Sequence, residues 1–227
     1  MRCKDMTRWG GRGGSLAVLA ALGLVALAAA PAQAIDVKLT MDDAKKALAE
    51  GREHMIVAAD SPKPDEEIKK LLKQVSAAVW IGADPEKDPC GASALLKTKR
   101  YWLGHFGRIE AREFKKQNKE VHMPEENMRK IVEMPYLEAE FHVCGDEEFF
   151  ADGVKASFKQ GSKNIEPADI SPAQKGRKSE APGAAYRSLF TARFAYDSFD
   201  PNAKTKVQIY FPDGKMSEFE ADFSKVK

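Results

Sequence analysis

The feature that most limits what this chain can fold into is a change of hydrophobic period near Tyr136. From there on, apolar residues alternate one in two: Leu137, Ala139, Phe141 and Val143 interleave with Glu138, Glu140, His142 and Cys144. Successive strand side chains point to opposite faces, so this pattern predicts a strand with one buried side. Val154, Ala156 and Phe158 repeat it, as do Phe190, Ala192, Phe194 and Tyr196. The strongest local signal is Val207, Ile209 and Phe211, then Pro212-Asp213-Gly214-Lys215, then Phe219, Ala221 and Phe223. It predicts a β-hairpin, with Pro212 presetting φ and Gly214 accepting a left-handed turn conformation.

Before Tyr136 the spacing is helical. Thr40 and Asp43 resemble a capping box, with Asp in place of the usual Glu, and Met41, Ala44, Ala47, Leu48 and Met55 follow at helical intervals. Gly51 is a weak point of that helix or its end. Pro64 followed by three acidic residues opens a second helix. Its Ile68, Leu71, Leu72, Val75 and Val79 predict a buried stripe, opposite Lys69, Lys70 and Lys73. Residues 82–91 read as a loop, and residues 94–102 as a strand or a helix entry. Gly104 and Gly107 interrupt either reading, leaving a short helix over 105–119. A further helix runs from Pro124 to Met134, stopped by Pro135, with Met128, Ile131 and Val132 inward. Residues 161–185 are rich in Lys, Pro, Gly and Ser and predict a long exposed loop, in which Lys175-Gly176-Arg177-Lys178 is a solvated basic run.

Helices first and antiparallel strands after them predict an α+β fold. A mainly helical region with loops (35–135) precedes an antiparallel β region (136–227), expected to form a sandwich of immunoglobulin-like architecture. The Cys…Trp…Cys spacing of antibody domains is not there, because Cys90 falls in a loop.

Residues 1–34 have a three-part layout. Arg2, Lys4, Arg8 and Arg12 make a basic start, residues 15–30 are apolar, and Ala32-Gln33-Ala34 follows Pro31. This predicts a cleaved secretory signal peptide. The apolar run is shorter than the roughly 20 residues a permanent membrane helix needs. The expectation is a soluble exported protein, periplasmic or extracellular, with no membrane span after cleavage. The whole chain has 36 basic and 34 acidic side chains and a net charge of +2. Four basic residues and one acidic residue leave with the leader, so the remainder carries no basic excess that would argue for nucleic acid. Cys3 leaves too, and in an oxidising compartment Cys90 and Cys144 are expected to pair.

Two constellations could carry chemistry. Glu138, Glu140, His142 and Cys144 lie on one strand face at intervals of about 7 Å, so His142 and Cys144 are candidate ligands for zinc or copper. A Cys90–Cys144 disulfide would consume the soft ligand. The second is the segment Lys97, Arg100, Tyr101, Trp102, His105, Phe106 and Arg108, where cations interleave with rings. Such a segment can grip an anionic polymer, stack on sugar rings, or contact an envelope protein. Its rings can equally serve as core anchors with the cations snorkelling around them. No nucleophile elbow, His-Glu-x-x-His, Cys-x-x-Cys or phosphate loop occurs. The sequence reading is therefore an exported, non-enzymatic binding or interaction protein of a bacterial-type cell envelope or exterior, without a cofactor. The alternatives are a metal-binding protein, or a hydrolase whose residues meet only in three dimensions.

Overall fold

The computed structural model of the chain describes residues 35–118, 120–179 and 183–227, and the expected signal peptide lies outside them. The first helix, α1 (Met41–Ala59), starts at a true capping box. Thr40 Oγ1 accepts from the Asp43 amide, and the Asp43 carboxylate accepts from the Thr40 amide at 3.1 Å. The helix runs straight through Gly51. Helix α2 (Pro64–Ala77) begins with Pro64 in its first turn, as expected, but none of its residues is fully buried. Ile68, Leu71, Leu72 and Val75 are half-buried, with α2 packed along α1.

Two strands follow that the sequence reading assigned to loop or left open: β1 (Trp80–Gly82) and β2 (Ser93–Lys97). Thr98 then caps α3 (Lys99–Gln117), its hydroxyl accepting from the Tyr101 amide, and Asn118 closes the helix in the left-handed conformation at φ 50°. Thus α3 begins before the two glycines expected to break it. Gly104 and Gly107 face α1 instead. A Cβ on Gly107 would lie 2.8 Å from the Arg52 amide nitrogen of α1, and one on Gly51 would lie 2.7 Å from Cα of Gly104. The glycines are where the two helix backbones touch. Helix α4 (Glu125–Val132) completes this part, burying Met128 with Leu39, Ala44, Ala47 and Leu103.

The remaining strands are β3 (Tyr136–Gly145), β4 (Lys155–Gln160), β5 (Lys163–Ile165), β6 (Asp169–Ile170), β7 (Arg177–Lys178), β8 (Tyr186–Ala195), β9 (Lys204–Tyr210) and β10 (Met216–Asp222). They form two antiparallel sheets. One has the order β1-β2-β3-β8-β6, with β7 also pairing β8; the other runs β10-β9-β4-β5. The stretch 161–185, expected as one loop, therefore carries three short strands. Two of them cover the free edge of β8, which blunts an otherwise open row of backbone donors and acceptors. The expected hairpin is β9–β10, paired from Tyr210↔Met216 to Lys204↔Asp222, with Gly214 at φ 84° in its turn.

The sheets pack face to face through the alternating residues. Leu137, Ala139, Phe141, Phe190, Ala192 and Phe194 meet Ala156, Phe158, Val207 and Ile209 in one core. Phe158 stacks on Phe194 at 3.6 Å between centroids, which fixes the two sheets against each other. The fold is α+β: four helices and an antiparallel sandwich, whose first sheet takes β1 and β2 from between α2 and α3. Lys99 ties the two parts together. It is 5% exposed, and its ammonium donates to the carbonyls of Val37 at 2.9 Å and Val132 at 2.6 Å while lying 4.9 Å over the Tyr196 ring. Among the described residues no helix is long and apolar enough to cross a membrane.

Candidate functional site

The disulfide forms between Cys90 and Cys144, with Cα atoms 5.3 Å apart. It pins the loop after β1 to the end of β3. Cys144 therefore offers no thiolate, and the metal alternative built on His142 and Cys144 loses its soft ligand. Among the described residues no group of three or more His, Cys, Asp or Glu is disposed to hold a metal ion.

Glu138, Glu140 and His142 do share the outer face of β3, but they are not a solvated row. Lys97 reaches across from β2 and pairs with Glu138 at 3.1 Å and with Glu140 at 2.9 Å. His142 Nε2 lies 3.4 Å from the other Glu140 oxygen without hydrogen-bond geometry, and its ring packs against Trp80 at 4.7 Å. The imidazole and then the ammonium hold the Glu140 carboxyl down at about 2, against burial, which pushes it up. Burial alone would lower Lys97, but its hydrogen bonds to the two carboxylates outweigh that and raise it. These groups are already neutralised by one another, so the row reads as a structural charge cluster. Arg193 extends it, 3.9 Å from Glu138 and 3.5 Å from Asp169.

The cations of the 97–108 segment are likewise engaged within the fold. Arg100 pairs with Asp36 at 2.8 Å, and Arg108 is 7% exposed on the inner side of α3. Tyr101 packs against the sandwich core. What remains at the surface is a line of partly open rings. Trp102 and Phe106 stack at 6.2 Å, and His105 meets both edge-on at 5.8 and 5.7 Å. Burial, followed by the charges of Arg108, Arg112 and Lys97, lowers the His105 pKa, so the imidazole is neutral near pH 7 and the line is uncharged.

The line continues into exposed Ile109, which sits three positions after Phe106 on the same helix face. Between α3 and the segment leading into α4 lies an open groove of about 310 Å3, lined chiefly by Phe106, Ile109, Val121, Met123, Pro124 and Ile131. Buried Glu110 holds the far wall by accepting the Met123 amide at 2.5 Å. Ile109 falls within the helix expected over residues 105–119, but its spacing alone does not distinguish an exposed isoleucine from a buried one. Val121, in a connecting segment, has no sequence signal at all.

A larger open cleft of about 740 Å3 lies beside the disulfide, with Asp146, Glu147, Asp152, Asp213 and Lys215 at its walls. A hydrolytic acid needs a carboxyl kept protonated. Asp213 is shifted the other way, because the Lys215 ammonium 2.9 Å away holds its carboxyl below the usual range.

No protein-family model matches the chain, and no curated protein matches it in sequence. Among solved structures it overlaps IgNAR antibody domain C1 at 8% identity and a TM-score of 0.27, over 45% of this chain and 84% of that domain. It overlaps IgNAR antibody domain C3 at 10% identity and a TM-score of 0.27, over 41% of this chain and 84% of that one. Likenesses of this size assign no function.

Proposed function

We propose that this chain is an exported, non-enzymatic binding protein of the cell envelope or exterior, and that it engages its partner through the aromatic face of α3. The observation that carries this reading is the uncharged line Trp102–His105–Phe106–Ile109 opening into an apolar groove. A rigid helix presents it, and two glycine contacts lock that helix to α1. Rings held in this way give large contact area at little entropic cost. The Cys90–Cys144 disulfide supports the oxidising compartment that export implies.

With Lys97, Arg100 and Arg108 engaged inside the fold, the partner favoured is one read by rings and aliphatic groups, a protein surface or a glycan, over an anionic polymer. The test is a pull-down from the native envelope fraction with wild-type protein, Phe106→Ser and a control variant, Lys206→Gln, on β9. The expected outcome is a partner retained by wild type and Lys206→Gln and lost by Phe106→Ser, at unchanged circular dichroism. Equal recovery by all three proteins would sink the assignment of this face.

A further inference from the structure

The three cations of the basic run Lys175-Gly176-Arg177-Lys178 are exposed, as expected of a solvated run, but the segment is not all loop and lies along the edge of β8. The Gln174 amide donates to the Leu189 carbonyl at 2.8 Å, and the Ser188 hydroxyl donates back to the Gln174 carbonyl. The Gly176 amide donates to the Glu148 carbonyl at 2.8 Å, and β7 pairs with β8 through Arg177↔Arg187 and Lys178↔Tyr186. This register sets two arginines directly opposite each other. Like charges facing across a strand pair destabilise it, with Cβ atoms about 5 Å apart.

The two arginines, Lys175 and Lys178 line an open pocket of about 250 Å3 together with His142, Ser188 and Leu189, and no carboxylate is among the described residues that line it. Lys175 has a counter-charge in Glu148 at 3.0 Å. Arg177, Lys178 and Arg187 have no ion pair with any described residue. Arg177 and Arg187 project from the same face of the ladder, and these two exposed guanidinium forks, unpaired among the described residues, make a donor set that recognises a tetrahedral oxyanion. The cavity is smaller than the clefts that enclose whole organic ligands, which suits an anionic head group.

We propose that this pocket binds a phosphate or sulfate group, free or carried as an ester, at a site separate from the α3 face and independent of the function assigned to that face. The test is calorimetric titration of the full chain at low ionic strength with inorganic phosphate, inorganic sulfate and phenyl phosphate, each against a chloride control. Three variants are titrated alongside: Arg187→Gln, Arg177→Gln and, on the distant surface of α1, Lys45→Gln.

The expected result is saturable binding by the wild type, weakened about tenfold or more by either arginine change, the loss of a charge-assisted hydrogen bond. Lys45→Gln should leave it unchanged. Saturation by phenyl phosphate alone identifies an ester as the ligand, and saturation by the inorganic ions identifies the free anion; both support the site. Should Arg187→Gln fail to fold, Arg177→Gln carries the comparison. The proposal is overturned if no anion saturates the wild type, or if the arginine variants bind as the wild type does.

Discussion

Lys97 and Lys99 stand two positions apart and end in opposite environments. Lys97 sits between Glu138 and Glu140, which raise its pKa, whereas Lys99 is buried against two carbonyls and a ring, and desolvation lowers it. Removing Lys97 as Lys97→Met strands two half-buried carboxylates, an expected loss of about 1–3 kcal/mol in urea denaturation at pH 7. The pH dependence follows from Glu140. Its folded pKa of about 2 lies below the ordinary 4.5, so the unfolded chain binds more protons between those values. The stabilisation is complete above the ordinary value and is lost as pH falls toward the lowered one. Lys97 supplies part of that lowering beside His142, which the variant keeps, so the gap between wild type and Lys97→Met should narrow through that window; a gap that stays constant there refutes the pairing. The arginine pair belongs to the same class of effect with the opposite sign. Without added anion and at low salt, Arg187→Gln is expected to melt higher than the wild type in scanning calorimetry, because repulsion with Arg177 is relieved.

Among the elements, the α1–α3 contact is the most sharply testable. A methyl on Gly107 would press on the backbone of Leu48 and Arg52, which cannot move without separating the helices, so Gly107→Ala should cost about 1–3 kcal/mol. At Gly104 the nearest atom to an added Cβ is Arg108 Nη1 at 3.2 Å, the far end of a side chain. Gly104→Ala should then be close to neutral, its steric cost offset by a helix-propensity gain of about 1 kcal/mol. Hydrogen-exchange protection of α1 distinguishes the two, and equal effects from both substitutions would contradict the contact. The same glycines explain an error of reading. In a sequence, glycine inside a helical pattern looks like punctuation, and only the facing backbone shows it to be a point of approach. The hairpin β9–β10 needed no such partner, since Pro212, Gly214 and the flanking alternation specify it locally.

For the whole molecule, the disulfide is the long-range tie that residue pattern alone anticipated. Cys90 and Cys144 are 54 positions apart, and closing a loop of that length is worth about 2–4 kcal/mol. Reduction, or the double change Cys90→Ser with Cys144→Ser, should lower the melting temperature measurably; an unchanged Tm in excess reductant would mean the cross-link restrains nothing in the unfolded chain. Its second effect is architectural. It holds the loop between β1 and β2 against β3, so strands from the mainly helical region join the same sheet as β3 and β8.

Period and punctuation alone were enough for the α+β class, the two N-terminal helices, the alternating strands with their buried faces and the final hairpin. These depend on neighbours within a few positions, and local spacing encodes them. The strands β1 and β2, the start of α3 at Thr98 and the three short strands between residues 161 and 185 needed the tertiary structure, because each is defined by a partner far along the chain. The sites divide the same way. Rings and cations at 97–108 were visible as types, yet whether each faced a carboxylate, a core or water was decided by packing. That is why Lys97, Arg100 and Arg108 turned inward while Trp102, His105 and Phe106 stayed partly open. The opposition of Arg177 and Arg187 exists only because strand pairing sets their register, a long-range choice that neither residue's neighbours in the sequence reveal.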